Sequence, residues 1–275
     1  MNHLRITIAV SDPLLQEILI ALLTELGYEG FEQLEDCLQA YLPEASFGAD
    51  ALMEVLADHQ LTYAVDSIPE KNWNEEWERN FSPVIIGDFC AIRANFHEPV
   101  AGVAHELVIT PKMSFGTGHH ATTCMMIGAM RTCDFRDRRV LDFGTGTGVL
   151  AILADRLGAA QVLAIDHDDW SIRNAQENIE ENGCVNIYLK KMDQVPDNQF
   201  FDLILANVNR HVLIALMHRL GQQLMEGGVI LMSGLLGDDA EEIENEAANC
   251  HLFVSDRMTE GSWICLKLEK HKLST

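Results

Sequence analysis

The sequence has few basic residues, since 19 Lys and Arg stand against 42 Asp and Glu and the formal net charge is −23. A chain of this charge repels the phosphate backbone of nucleic acids, so direct binding to DNA or RNA is not expected. The same charge attracts cationic surfaces and favours a basic protein as partner. Acidity also serves solubility without any partner, and composition alone leaves both interpretations open.

Long apolar runs are missing as well, although 48% of the residues are hydrophobic. No uncharged apolar stretch approaches the roughly 18–20 residues that cross a bilayer, so no membrane association is expected. The opening residues, Met1–Arg5, lack an apolar secretory segment. The seven cysteines are odd in number and include no C-x-x-C pair, which favours free thiols and a cytoplasmic location.

The most informative stretch is V-L-D-F-G-T-G-T-G at residues 140–148, where a short apolar strand leads into a loop with glycine at every second position. An apolar run of helical character follows, and a second strand then ends in Asp166. Strand, glycine loop, helix, strand and acid is the layout of a nucleoside-binding doubly wound sheet. A dinucleotide fingerprint would need its third glycine at Val149, which disfavours a nicotinamide oxidoreductase.

The D-x-G-x-G-x-G pattern resembles motif I of the S-adenosylmethionine-dependent methyltransferases, which implies S-adenosyl-L-methionine as cofactor. This cofactor has a sulfonium, an amino-acid tail and a ribose diol. Gly144, Gly146 and Gly148 would allow close approach of the cofactor to the backbone. Asp166 is positioned to accept two hydrogen bonds from the diol, and Asp142 adds negative charge near the sulfonium. The alternative for the loop is a turn that merely needs small residues.

A second glycine-rich element, F-G-T-G-H-H-A-T-T, begins at Phe115, follows a strand and opens a helix. It lacks the Lys-Ser/Thr ending of a phosphate-binding loop. The adjacent His119 and His120 suggest a metal, but neighbouring residues rarely face one ion and no ligand set with helical spacing accompanies them. We therefore expect no metal site. The favoured interpretation is a loop that folds over the cofactor, with Phe115, Gly116 and the hydroxyl of Thr123 facing it.

A third element, F-D-L-I-L-A-N-V-N-R from Phe201, is a buried strand that ends in Asn207, where a doubly wound sheet binds its ligand. In methyltransferases that act on nitrogen, an Asn or Asp here hydrogen-bonds the target amine, so Asn207 is the candidate catalytic residue. The sequence Val-Asn-Arg replaces the usual Pro-Pro-Tyr or Pro-Pro-Phe and suits a flexible alkyl amine. Alternatively, Asn207 only caps the following helix. Asp193, after the preceding strand, either accepts from the adenine amino group or lies in a solvated loop.

Apolar periodicity predicts a small N-terminal unit over residues 1–68 with the element order βαββαβ, which is typical of a ferredoxin-like fold. The predicted elements are strand 4–10, helix 14–26, strands 30–34 and 37–42, helix 47–58 and strand 61–66. Residues 69–104 are predicted to form a linker, with a helix on which Trp73, Trp77 and Phe81 share one face and a hairpin of strands 84–86 and 89–93. The helix either bridges two domains or is an ordinary packing element.

Residues 105–275 alternate between helix and strand, which predicts an α/β, Rossmann-like domain. Helices are predicted at 122–131, 149–157, 170–182, 211–224 and 238–249. Strands are predicted at 106–110, 139–143, 161–166, 187–190, 202–206, 229–233, 251–256 and 262–268, with a turn at Gly227 and Gly228 before the strand at 229–233.

Over almost its whole length the chain resembles the PrmA family, the methyltransferases of large-subunit ribosomal protein eleven. The resemblance rests on five segments: Trp73–Pro83, Phe115–Thr123 (similar to the family's F-G-T-G-T-H-x-T-T), Asp142–Gly148, Ala164–Asp166 and Ala206–Val208. It implies a ferredoxin-like domain that holds the ribosomal protein, a linker helix and a catalytic domain that methylates the α-amine and lysine ε-amines. The family's cofactor-binding positions fall on Thr123, Gly144, Asp166 and Asn207.

The chain departs from the family pattern at two loop positions, with His119 where Thr is common and Ala121 where Pro is common. Its third element also reads N-V-N-R and not N-I-L. These changes leave the expected cofactor site complete and bear on which amines are methylated. The alternatives are a methyltransferase for another protein or small molecule, and a cofactor-binding interaction protein without catalysis.

Overall fold

The computed structural model describes residues 3–57, 59–68, 81–112, 114–195 and 197–270. The chain divides into two compact units, Met1–Asn80 and Phe81–Thr275. The helix predicted around Trp73 and Trp77 lies outside the described residues. Among the helices that are described, none combines the length and apolar character needed to cross a bilayer.

The first unit is a four-stranded antiparallel sheet with two helices, in the predicted order βαββαβ. Its elements are β1 His3–Ala9, α1 Pro13–Glu25, β2 Gly30–Gln33, β3 Cys37–Pro43, a 3₁₀ turn Glu44–Ser46, α2 Ala49–Ala57 and β4 Tyr63–Ile68. The strand order across the sheet is β2-β3-β1-β4.

Alternate residues of β1 build the core of this unit, because successive side chains of a strand point to opposite faces. Leu4, Ile6 and Ile8 are buried and pack with Leu19 of α1 and Leu52 of α2. Both helices therefore cover the same face of the sheet.

The second unit begins with a small sheet of β5 Val84–Ile86, β6 Cys90–Arg93 and β7 His105–Val108. Strands β5 and β6 are antiparallel, as the predicted hairpin requires, and β7 lies parallel to β6. The remaining elements are α3 Ala121–Met130, β8 Arg139–Phe143, α4 Val149–Arg156, β9 Gln161–Asp166, α5 Asp169–Glu181, β10 Ile187–Lys191, β11 Phe201–Asn207, α6 Arg210–Gln223, β12 Leu224–Leu236, a 3₁₀ turn Gly237–Asp239, α7 Ala240–Asn249, β13 Leu252–Glu260 and β14 Trp263–Lys270.

Seven strands of this unit form one mixed sheet in the order β10-β9-β8-β11-β12-β14-β13. The strands from β10 to β12 are parallel, whereas β14 is antiparallel to β12 and to β13. This is an α/β, Rossmann-like arrangement. The chain order reverses between β8 and β11, and doubly wound sheets bind ligands at the carboxyl ends of the strands at such a point.

Both faces of the large sheet are covered, which explains why its central strands are almost continuously apolar. Leu203 and Leu205 of β11 pack into one core with α3, α4 and α5, whereas Ile204 and Ala206 pack into a second core with α6 and α7. The sheet is thus packed against helices on both of its faces.

One predicted turn was wrong. Gly227 and Gly228 do not precede a separate strand but lie inside β12, where the pairing with β11 shifts between Leu224 and Val229. A Cβ on Gly228 would lie 2.8 Å from the carbonyl oxygen of Met225 and 2.9 Å from that of Asp202. Gly228 is therefore needed because the backbone is crowded at an irregular part of one strand, and Gly227 because its backbone is left-handed, with φ of 71°.

Candidate active site

The loop after β8 has a left-handed backbone at its three glycines, with φ of 71° at Gly144, 56° at Gly146 and 82° at Gly148. A Cβ on Gly146 would lie 2.3 Å from the carbonyl oxygen of Phe115, and a Cβ on Gly144 would lie 2.5 Å from Cγ1 of Val208. Glycine is thus required both by the turn and by close approach of the protein's own chain.

Asp166 ends β9 with its carboxylate beside this loop. Oδ2 of Asp166 accepts a hydrogen bond from the N–H of Gly146 at 3.0 Å, and Oδ1 accepts one from the N–H of Asp168 at 3.0 Å. These bonds fix the orientation of the carboxylate. Each carboxylate oxygen still has a lone pair for a further donor, so Asp166 can accept two hydroxyl groups of a ligand.

Asp142 lies beneath the glycine loop and is buried. Its Oδ2 accepts hydrogen bonds from Oγ1 of Thr145 at 2.6 Å and from the N–H of Ala151 at 3.2 Å. Its Oδ1 is buried and has no hydrogen-bond partner within the described part of the chain. Burial raises the pKa of Asp142 to about 7, against the two hydrogen bonds, and the nearby Asp166 charge adds a smaller rise.

Asn207 ends β11 at the point where the chain order of the sheet reverses. Its Nδ2 donates to Oγ1 of Thr123, which is buried in the first turn of α3, at 3.4 Å. The Oδ1 atom of Asn207 is buried, and no described residue donates to it. Because a buried oxygen without a donor is costly, this atom is suited to accept a hydrogen bond from a bound molecule.

The alternative that Asn207 merely caps the next helix does not hold. The cap of α6 is Asn209, whose Oδ1 accepts from the N–H of Val212 at 3.2 Å. The two asparagines therefore have different roles. Asn209 caps α6, whereas the side chain of Asn207 donates a hydrogen bond to Thr123.

The second glycine-rich loop is fastened to the first. The N–H of Thr147 donates to the carbonyl oxygen of Phe115 at 3.0 Å, and Oγ1 of Thr147 donates to the carbonyl oxygen of Gly116 at 2.8 Å. Phe115 is 52% exposed. The two glycine loops therefore form one assembly, with an aromatic side chain at its surface.

The two adjacent histidines have different partners. Nδ1 of His120 accepts from the N–H of Thr122 at 3.3 Å and caps α3. Nε2 of His119 lies 3.0 Å from the carbonyl oxygen of Ser82, and its ring centroid lies 4.4 Å from that of Phe81. Within the described ranges, no group of three or more His, Cys, Asp or Glu residues is arranged to hold a metal ion.

Asp193 lies two residues beyond β10 and is exposed. The preceding residue, Met192, donates its N–H to the carbonyl oxygen of Asp166 at 2.8 Å. The chain after β10 therefore runs beside the end of β9, which brings Asp193 to the same edge of the sheet as the other candidate residues.

Comparison with known proteins identifies the family. The family model for ribosomal protein L11 methyltransferase (PrmA) matches residues 8–271. The chain belongs to this family. The Porphyromonas gingivalis ribosomal protein L11 methyltransferase is 41% identical over 91% of this chain and 89% of its own length. The Phocaeicola vulgatus protein of the same name is 35% identical over 97% of this chain and 99% of its own length.

Solved structures agree with the family. The crystal structure of ribosomal protein L11 methylase from Lactobacillus delbrueckii subsp. bulgaricus matches with a TM-score of 0.64 and 32% identity, over 70% of this chain and all of that chain. A methyltransferase from Pyrococcus furiosus, at 19% identity and a TM-score of 0.51 over 60% of this chain and 90% of its own, shares the fold.

Membership of the PrmA family makes the chain a methyltransferase with S-adenosyl-L-methionine as its cofactor. The side chains at the strand ends fit this molecule. Asp166 offers a carboxylate for a ribose diol, and the loop after β8 has no side chains at three positions. Asn207 and Asp142 each keep a buried oxygen with no donor from the described residues, which suits the cationic and N–H-bearing groups of cofactor and substrate.

Two asparagines that the sequence analysis missed, Asn178 and Asn182, bind backbone groups of the loop after β8 and of the chain at and after the end of β7. Nδ2 of Asn178 donates to the carbonyl oxygen of Thr147 at 2.8 Å, and its Oδ1 accepts from the N–H of Thr110 at 2.9 Å. Asn182 binds both backbone groups of Val108, at 3.0 and 2.7 Å. The sequence feature that could have predicted them is their spacing: asparagines four residues apart in a helix lie on one face and can bind the same neighbouring segment.

Proposed function

We propose that the chain transfers methyl groups from S-adenosyl-L-methionine to amines of large-subunit ribosomal protein L11, both lysine side chains and the α-amine. The observation that carries this proposal is the extent of the family match, since residues 8–271 cover most of both compact units. A methyltransferase of unrelated specificity would need to resemble the family only in the second unit. The Porphyromonas gingivalis and Phocaeicola vulgatus relatives, both named ribosomal protein L11 methyltransferase, match over 91% and 97% of this chain.

In the proposed site, Asp166 binds the ribose diol and Asp193 accepts from the adenine amino group. The glycines at 144, 146 and 148 let the cofactor lie against the backbone, and Phe115 and Gly116 cover it. The fixed orientation of the Asp166 carboxylate supports this arrangement, because a pre-oriented acceptor loses little freedom when the diol binds.

The cofactor supplies an electrophilic methyl carbon on a sulfonium. The attacking lysine amine has a reference pKa near 10.4 and must be neutral, and loss of water around it in the site favours the neutral form. Asn207 accepts an N–H of this amine at Oδ1 and directs its lone pair toward the methyl carbon. Thr123 holds the amide, since it accepts from Nδ2, and no residue in the described part of the chain donates to Oδ1. Positioning of the reactants supplies much of the rate acceleration.

We assign residues 1–68 to a ferredoxin-like substrate-recognition domain, residues 69–104 to a linker and residues 105–275 to the catalytic domain. The order βαββαβ and the antiparallel strand order β2-β3-β1-β4 support the ferredoxin-like assignment. The net charge of −23 supports a basic protein partner and opposes binding to nucleic acid. All seven cysteines are free thiols, in agreement with a cytoplasmic enzyme.

The test is transfer of labelled methyl groups to purified L11, followed by intact mass spectrometry of the product. We expect label on L11 with the wild-type chain and a loss of turnover of roughly a hundredfold or more with Asn207→Ala. Asn245→Ala is the matched control, since Asn245 is an exposed asparagine of α7 that is no part of the candidate site, and it should leave turnover near the wild-type value. Label on other proteins or small molecules, with none on L11, would show a different substrate.

A further inference from the structure

Helix α1 of the first unit is apolar on both of its faces. Its inner face buries Leu19 and Leu23 in the core. On its outer face Leu14 is 67% exposed, Ile18 is 45% exposed and Leu22 is 37% exposed. These three residues are spaced i, i+4, i+8 and form one continuous stripe along the helix. The solvent-facing side of a helix in a globular protein is normally polar, so this exposed apolar stripe is a surface on which a partner is expected.

The surroundings of the stripe are acidic. Glu17 and Glu25 are exposed and lie three residues after Leu14 and Leu22, so each borders one end of the stripe along the helix. Residues 1–68 contain twelve Asp and Glu, no Lys and the single Arg5. The guanidinium of Arg5 already binds the carboxylate of Asp66 at 2.9 Å. The surface therefore combines an apolar centre with a negatively charged rim.

We propose that this α1 stripe (Leu14, Ile18 and Leu22, bordered by Glu17 and Glu25) is the docking surface for a cationic protein surface. This inference rests on the proposed function and names L11 as the partner. Lysine or arginine stems of the partner lie on the aliphatic residues, while their charged heads meet the glutamates. An apolar centre with a charged, solvent-accessible rim is the usual organisation of a protein–protein interface.

Charge selects among the possible occupants. Two copies of the first unit would bring together two strongly acidic surfaces, and like charges in an interface are unfavourable. Nucleic acid is repelled for the same reason. A cationic protein is the one partner of the three that the glutamates of the rim attract. A substrate held on the same chain also meets the reaction centre at a high effective concentration, which favours successive transfers to several amines.

The experiment uses the full-length chain, purified L11 and S-adenosyl-L-methionine, and compares Ile18→Ser and Leu14→Ser with wild type. Removing one aliphatic side chain from the centre of an interface should raise the KM for L11 roughly tenfold. The kcat and the KM for the cofactor should stay unchanged, since neither residue is part of the site in the second unit. Val185→Ser is the matched control, because Val185 is an 82% exposed aliphatic residue of the second unit.

A third variant, Glu17→Lys, tests the rim. It should raise the KM for L11 and weaken the dependence of this KM on salt, because one attractive charge pair becomes repulsive. Circular dichroism of each variant should show unchanged helix content, as expected for substitutions at exposed positions.

The outcomes separate the two proposals. If wild type methylates L11 and the KM for L11 is the same in Ile18→Ser, Leu14→Ser and wild type, the docking inference is wrong and the proposed function stands. An equal rise in Val185→Ser would also overturn it, since the effect would then be general to exposed aliphatic residues. A wild-type dimer in sedimentation that Ile18→Ser dissociates would overturn it too, by assigning the stripe to a second copy. Lack of L11 methylation by wild type would refute the proposed function itself.

Discussion

Replacement of Asp142 by Asn should change the pH dependence of folding stability. Burial raises the pKa of this carboxyl from 3.8 to about 7. Between these values the unfolded chain is ionised and the folded protein keeps the proton, so folding takes up a proton. The stability that this group contributes is therefore full below about pH 4 and is lost as the pH rises to about 7. Each pH unit between the two pKa values lowers the free energy of unfolding by about 1.4 kcal/mol, so the total loss is about 4 kcal/mol.

Asp142→Asn has the same shape and cannot ionise. Its amide oxygen can still accept from Thr145 and Ala151, whereas its NH₂ replaces the unpartnered oxygen. Any cost of burying this new donor is independent of pH. The test is therefore how the difference in the free energy of unfolding between variant and wild type changes with pH. The variant should gain about 1.4 kcal/mol per pH unit relative to wild type between pH 5 and 7, and the gain should level off above pH 7.

The assay is urea unfolding of both proteins without cofactor at pH 5, 6, 7 and 8, with the unfolding of the second unit followed separately. A difference in the free energy of unfolding that stays constant over this range would refute the reasoning. As a further check, the variant should bind S-adenosyl-L-methionine more weakly than wild type at pH 8, because a nearby negative charge is absent.

Three further substitutions test separate parts of the site. Asp166→Ala should weaken cofactor binding by roughly a hundredfold in calorimetry, because charge-assisted bonds to the ribose are lost; an unchanged Kd contradicts the assignment. Gly146→Ala should lower the free energy of unfolding by about 1–3 kcal/mol, since its Cβ would lie 2.3 Å from the carbonyl oxygen of Phe115. Gly48→Ala is the control: its Cβ would meet no atom nearer than 3.9 Å, so the free energy of unfolding should hardly change. His119→Ala should raise the KM for the cofactor a few-fold by freeing the second loop from Ser82, and an equal KM would show that this contact has no role in cofactor binding.

The strand ends could be predicted from the sequence because their signal is local. A run of apolar residues followed by Asp166 or Asn207 marks a buried strand and its end, and each was found at the last residue of its strand. The glycine loop was also visible, because alternate glycines between a strand and a helix are typical of a turn against which a ligand binds. The element order of the second unit followed from the same local patterns.

The rest depends on contacts between distant parts of the chain. Nothing near Gly146 indicates that Phe115 crowds it, and nothing near Asn178 indicates that its partner is Thr147. The glycine pair in β12 was taken for a turn because the crowding at Gly228 comes partly from Asp202 on the neighbouring strand, which local composition does not show. Such requirements arise only when the sheet has assembled, so local composition does not contain them.

The measurement that tests the central claim most directly is a crystal structure of the full-length chain with S-adenosylhomocysteine, the cofactor after loss of its methyl group. We expect both ribose hydroxyls within hydrogen-bond distance of the carboxylate of Asp166, and the amino-acid tail against the loop from Gly144 to Gly148. The sulfur should face Oδ1 of Asn207 across the space for the amine. A nucleoside bound away from the ends of β8 and β9, or no binding at millimolar concentration, would contradict the claim.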